Sequence, residues 1–263
     1  MSTYKVMRRF ALLMTLAALG LGYTTISLAA GGGACGAVNC LDPNVDLDDR
    51  PALQRGAKLF VNYCLSCHSA TFMRYNRMAK DLGLSEEQLK NNLMFATEKP
   101  GNPMNAAMTA KDGEKWFGKA PPDLSVIARA RGDSWLYTYL MTFYRDDAKA
   151  TGANNLVFKG VGMPHVMADM QGIQVLREHP AEVGKKVHHG PRNVNDMLML
   201  ASPGSSDPAT FRRAARDLTG FLVYMGEPAK LVRYKIGIWV LVFLSVLYLL
   251  SRSLYKEYWK DIH

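Results

Sequence analysis

Cysteine is scarce in this chain: four residues out of 263, at positions 35, 40, 64 and 67. A zinc cage is not expected from them, because Cys35 and Cys40 lie far upstream of the other two and have no paired histidine at metal spacing. No stretch alternates apolar and polar residues convincingly, so neither a sheet-based domain nor the βαβ frame of a thioredoxin-like dithiol is expected. No internal repeat is visible. Acidic residues are outnumbered, 23 against 32 lysines and arginines, which gives a formal charge of +9. Lys5, Arg8 and Arg9 supply three of those charges, and residues 230–263 hold six bases against Glu257 and Asp261. The roughly 200 residues from 31 to 229 are then nearly neutral, and no nucleic acid partner is supported.

Long uncharged apolar runs are also few. The first, Phe10 to Leu21, follows a basic start and precedes the small residues Ser27, Ala29 and Ala30. This order is that of a secretory signal peptide over residues 1–30, with an uncleaved signal anchor as the alternative. The second run, Ile236 to Ser251, is 16 residues long. Arg233, Lys235 and Arg252 can snorkel from its ends, and Trp239, Tyr248, Tyr255 and Trp259 suit interfacial belts. It predicts one transmembrane anchor over 230–254; a buried core helix is the alternative, disfavoured by a basic flank on each side. Residues 31–229 form the exported domain and 255–263 a cytoplasmic tail. This topology rests on the signal, because Lys230, Arg233 and Lys235 blunt the positive-inside asymmetry.

What the exported domain does have is Cys64-Leu65-Ser66-Cys67-His68, a C-x-x-C-H motif and the attachment signature of a c-type haem. Two thiols one helical turn apart can add to the two vinyl groups of one porphyrin, and the adjacent imidazole then lies beneath the iron. His68 is the proximal ligand on this reading. With no second such motif, one haem c, covalent through Cys64 and Cys67, is expected. Covalent haem attachment agrees with export to an oxidising bacterial periplasm. There Cys35 and Cys40, in a glycine-rich lead-in, could pair as a disulfide or remain thiols. Lipidation is disfavoured, since Gly32 stands where a lipoprotein signal wants leucine.

Helical periodicity frames the motif. Leu53, Gly56, Ala57, Phe60 and Tyr63 give a helix over about 52–63, and Asp207-Pro208 opens another carrying Phe211, Ala214, Leu218, Phe221, Leu222 and Met225. These resemble the crossing terminal helices of a cytochrome c fold, with Gly56 at the close approach. Further helices are expected at Ser85 to Phe95, Leu124 to Arg131 and Ser134 to Tyr144, and loops at 97–122 and 151–206. The fold class is mainly α: a cytochrome c-type monohaem domain with long loop insertions plus one C-terminal transmembrane helix.

The sixth ligand decides between relay and substrate binding. Met163 stands out among fifteen methionines, in Lys159-Gly160-Val161-Gly162-Met163-Pro164-His165, where glycines and proline favour an extended path over the haem face. The metal ligands are then His68 and Met163. His165 is the rival ligand, while His179, His188 and His189 lie in polar stretches. Methionine ligation implies a relatively high reduction potential.

With Ala120-Pro121-Pro122-Asp123-Leu124-Ser125, Ala128-Arg129-Ala130-Arg131, the Met-Pro loop and the anchor in order, the chain resembles the cytochrome c1 family, the c-type haem subunit of the cytochrome bc1 (quinol–cytochrome c reductase) complex. The resemblance aligns Met163 with the axial methionine, although the loop here reads Met-Pro-His. It implies that Pro122 packs on the porphyrin and that Arg131 lies near a propionate, with Arg129 as the alternative. Trp135 falls at an aromatic position. No long acidic insertion is present, so a strongly acidic docking patch is not assumed. The resemblance further implies a subunit of a dimeric complex, beside cytochrome b, which takes one electron from a Rieske iron-sulfur protein and passes it to a cytochrome c, with no quinone site of its own. Two other functions fit parts of the pattern: a free-standing tethered carrier feeding a terminal oxidase, and a haem enzyme or oxygen sensor with an open iron site.

Overall fold

The computed structural model describes residues 34–36, 38–177 and 192–260. The expected signal peptide and the histidines at 179, 188 and 189 lie outside the described residues. Helix α1 (Arg50–Leu59) starts where Asp49 accepts the Ala52 N–H at 3.0 Å and Pro51 occupies the first turn. It runs without a break into a π-helical turn, Phe60–Cys64, closed by Leu65 N–H to Phe60 O at 2.9 Å. The wider turn changes the angular register of the helix just before the haem motif and buries Phe60, Val61 and Cys64.

Strand β1 (Ala70–Arg74), helix α2 (Tyr75–Leu82), helix α3 (Glu86–Leu93), strand β2 (Pro103–Met104) and helix α4 (Ala110–Phe117) follow. Ser85 and Gln88 close the expected capping box on α3, which ends two residues earlier than its sequence pattern reaches. Next come α5 (Ile127–Arg131), α6 (Asp133–Met141), β3 (Phe143–Arg145), β4 (Ala153–Asn155), α7 (Ala168–Gln171), β5 (Gly172–Leu176), α8 (Val194–Met197) and β6 (Leu198–Pro203). Helix α9 (Pro208–Gly226) and the anchor helix α10 (Lys230–Tyr258) complete the described chain.

The regions expected to be loops are more ordered than that. Three antiparallel two-stranded sheets, β1–β2, β3–β4 and β5–β6, stand where no strand was expected. Pro103–Met104, Phe143–Arg145 and Ala153–Asn155 are too short to show a period of two, and the register shifts in the first and third sheets break the alternation of the longer strands. Helix α4 is capped by Thr109, which accepts the Asp112 N–H, in a stretch whose glycines and prolines suggest loop. The helix expected from Leu124 begins only at Ile127, because the Asp123 carboxylate draws Ser125 N–H into a turn at 2.8 Å. The helix expected to reach Tyr144 stops at Met141, and Phe143–Arg145 joins β4 instead.

Helices α1 and α9 cross as expected. At the crossing a Cβ on Gly56 would overlap the Asp217 carbonyl oxygen and stand 2.7 Å from Phe221 Cβ. The Phe60 and Phe221 rings meet at 5.5 Å, and Arg55 Nε donates to the buried Asp217 Oδ2 at 2.6 Å. Tyr224 near the end of α9 donates to Asp81 on α2 at 2.8 Å. Cys35 and Cys40 are disulfide-bonded, which settles the alternative left open by the sequence.

Residues 227–229 alone separate α9 from α10, and they are held by Glu227 N–H to Tyr224 O at 3.1 Å and Lys230 N–H to Glu227 O at 3.0 Å. An ion pair between Glu227 and Arg233 spans the junction. Ile236–Tyr258 of α10 has mean hydropathy 1.9 and is not buried by the rest of the protein. It is long and apolar enough to cross a bilayer, about 34 Å at helical rise.

A candidate haem site

The π-helical turn delivers Cys64, and the next turn delivers its partners: Cys67 N–H and His68 N–H both donate to Cys64 O, at 3.0 and 2.8 Å. Neither Cys64 nor Cys67 is disulfide-bonded. Burial, with help from neighbouring Cys67, pushes the Cys64 thiol up to about 12, so it is protonated at neutral pH.

His68 Nδ1 lies 2.8 Å from the Pro122 carbonyl oxygen. A carbonyl only accepts, so Nδ1 carries the hydrogen and Nε2 keeps its lone pair. Burial lowers the His68 pKa, against the hydrogen bond to Pro122 and the charge of Asp123, which favours the neutral ring a metal requires. Pro122 thus meets the imidazole through its carbonyl, a contact that its ring chemistry does not announce in the sequence.

That carbonyl is held in place by its neighbours. Asp123 Oδ2 accepts from Thr71 N–H at 3.0 Å and Thr71 Oγ1 at 2.9 Å. Leu124 N–H donates to Ser69 O at 2.8 Å, and Phe72 N–H to Ser125 Oγ at 3.1 Å. Burial works to raise the Asp123 pKa, but the hydrogen bonds from Ser125 and Thr71 outweigh it and leave it lowered. Nothing in the sequence marks Thr71 as part of this arrangement.

Met163 lies in a second cluster. Asn155 Oδ1 accepts the N–H groups of Val157 and Phe158 at 2.9 and 3.2 Å, and its Nδ2 donates to Tyr139 O at 2.8 Å. Asn154 Oδ1 accepts Gly160 N–H at 2.9 Å, and Gly160 has φ +75°, in the left-handed region. These buried asparagines shape the path to Met163, whose Sδ accepts the Tyr139 hydroxyl at 3.3 Å. His165, the rival ligand, stacks on Phe143 at 5.0 Å, and burial lowers its pKa to about 4 against weaker opposing effects of Gln171 and Asp169.

Helix α4 joins the two clusters. A Cβ on its Gly113 would stand 2.5 Å from Pro121 Cδ, and a Cβ on Gly162 would lie 3.1 Å from Phe117 O. Of the two candidate arginines, Arg131 places its guanidinium 5.0 Å from the Trp135 ring centre, whereas the Arg129 stem lies against the Gly226 end of α9. The donor set fits a c-type haem: two cysteines one turn apart outside any disulfide, a neutral imidazole with Nε2 available, and a thioether with a second lone pair.

The sequence model of the Cytochrome C1 family matches residues 44–262. This chain belongs to the cytochrome c1 family. It is 46% identical over 239 residues to cytochrome c1 of Allochromatium vinosum, covering 91% of this chain and 94% of that one. A Rhodospirillum rubrum cytochrome c1 is 27% identical over 239 residues, covering 81% and 83%. A Nitrosomonas europaea protein named ammonia monooxygenase gamma subunit is 47% identical over 219 residues, covering 83% and 87%. Cytochromes c1 are the electron-transfer subunit of the bc1 complex, which contains cytochrome b and the Rieske protein, and electron transfer through haem c is the function of this chain. A free-standing tethered carrier is not favoured.

Proposed function

We propose that Cys64 and Cys67 would hold the haem covalently, that His68 Nε2 and Met163 Sδ would supply its iron ligands, and that the domain stands in the periplasm on an anchor whose C-terminus is cytoplasmic. The haem, when bound, supplies a one-electron ferric/ferrous couple; the chain supplies its attachment, orientation and surroundings. The reading is carried by the His68–Pro122 hydrogen bond, which fixes the tautomer and points the free nitrogen of a residue adjoining two cysteines outside any disulfide. His68 is held neutral and oriented, Met163 offers a soft donor that favours the reduced state, and Arg131 offsets propionate charge. An iron closed by two protein donors suits relay from a Rieske protein to a cytochrome c, within a dimeric complex, better than it suits substrate binding.

The test is isolation of the native complex in mild detergent, with haem staining and a redox titration. Comigration of a covalent haem with cytochrome b and Rieske subunits is expected for this chain, and its loss in Cys64→Ala and Cys67→Ala variants. Ready carbon monoxide binding by the reduced native protein would contradict the closed site.

A further inference from the structure

Trp135 and Tyr139, four residues apart, share one face of α6, while Arg131 at the end of α5 and Phe143 at the start of β3 meet them from its two ends. They form a continuous ladder. The Arg131 guanidinium lies 5.0 Å from the indole centre, and Trp135 stacks on Tyr139 at 5.1 Å with 8° between the planes. Tyr139 meets Phe143 edge-on at 5.0 Å, and Phe143 stacks on His165 at 5.0 Å with 2° between the planes. The ladder therefore touches the Met163-Pro164-His165 segment twice: through the Phe143–His165 stack and through the Tyr139 hydroxyl on Met163 Sδ.

That hydroxyl is under constraint. Trp135 stacked on the ring and Phe143 meeting it edge-on restrict Tyr139, and Asn155 Nδ2 donates to its backbone carbonyl at 2.8 Å. The partly buried phenol finds its acceptor in Met163 Sδ. A thioether sulfur has two lone pairs; a hydrogen bond on one orients the other and withdraws density from it.

We propose that Tyr139 is a positioning residue that aims the Met163 thioether and weakens its electron donation, thereby raising the reduction potential of this cytochrome, with the Arg131–Trp135–Phe143 ladder fixing its ring. The inference rests on Met163 being an axial donor. A weaker donor stabilises ferric iron less than ferrous iron, so loss of the hydroxyl lowers the potential.

The experiment is Tyr139→Phe in the intact complex, which keeps the ring and removes one oxygen. Expected are a lowered midpoint potential, a retained but shifted methionine-to-iron charge-transfer absorption in the near infrared, and a thermal transition close to that of the parent. An unchanged potential and an unshifted band overturn the role of Tyr139. Met163→Leu is run in parallel: if it leaves the parent band intact, the ligand assignment fails, and the proposal with it. Trp135→Leu removes the stacking partner but leaves the hydroxyl; a broadened band is expected, and a band as narrow as the parent's overturns the part assigned to the ladder.

Discussion

Asp123 and Thr71 are joined twice through a single carboxylate oxygen, which accepts both the Thr71 N–H and its hydroxyl. The pair fastens the segment behind His68 to the segment that supplies the Pro122 carbonyl. An Asp123→Ala substitution removes the acceptor of those donors and of Ser125 N–H; with Asp123 and Thr71 exposed to water, the loss should be about 0.5–1.5 kcal/mol of stability. We expect a lower denaturation midpoint and a wider spread of His68 orientations, read as broadened haem resonances in paramagnetic NMR.

The same carboxylate predicts a pH dependence. Its pKa is lowered in the folded protein by hydrogen bonds from Ser125 and Thr71 that outweigh burial. Its contribution is therefore present above the unfolded carboxylate pKa of about 4 and lost as pH falls through the lower folded value. Denaturation series from pH 6 down to pH 2 should show falling stability, with a shallower fall in Asp123→Asn.

At the helix crossing, Gly56→Ala would drive a methyl into the Asp217 carbonyl and Phe221 Cβ. Separating α1 from α9 should cost about 1–3 kcal/mol or more. The check is chemical denaturation of the variant, with a midpoint equal to the parent's counting against the crossing.

Replacing both Cys35 and Cys40 by serine opens a loop whose ends are five positions apart. Chain-entropy reasoning puts the loss at about 2 kcal/mol. The melting temperature should fall, read by thermal denaturation of the double variant beside the parent.

Met163→Leu should abolish the methionine-to-iron absorption and lower the midpoint potential. Persistence of the absorption would return the choice to His165.

The sequence shows C-x-x-C-H because attachment needs fixed local spacing, and it shows α1 and α9 because amphipathic helices repeat over several turns. Asp207 announces its helix through a cap that the structure repeats, accepting Ala209 and Thr210 N–H at 2.9 and 3.1 Å. The two-residue strand at Pro103–Met104 has no periodicity to detect. Helix α2 is different, since Tyr75, Met78, Ala79 and Leu82 are buried at helical spacing and were available to be read. The Pro122 carbonyl, the Asp123–Thr71 bonds and the Asn155–Tyr139 bond join residues distant in the chain. Their partners follow from tertiary placement, which composition and spacing do not encode.

With only Glu227, Pro228 and Ala229 between α9 and the membrane helix, the domain has almost no leash. On the proposed relay, a domain on so short a post has little reach of its own, so lengthening the post should bring no gain in rate.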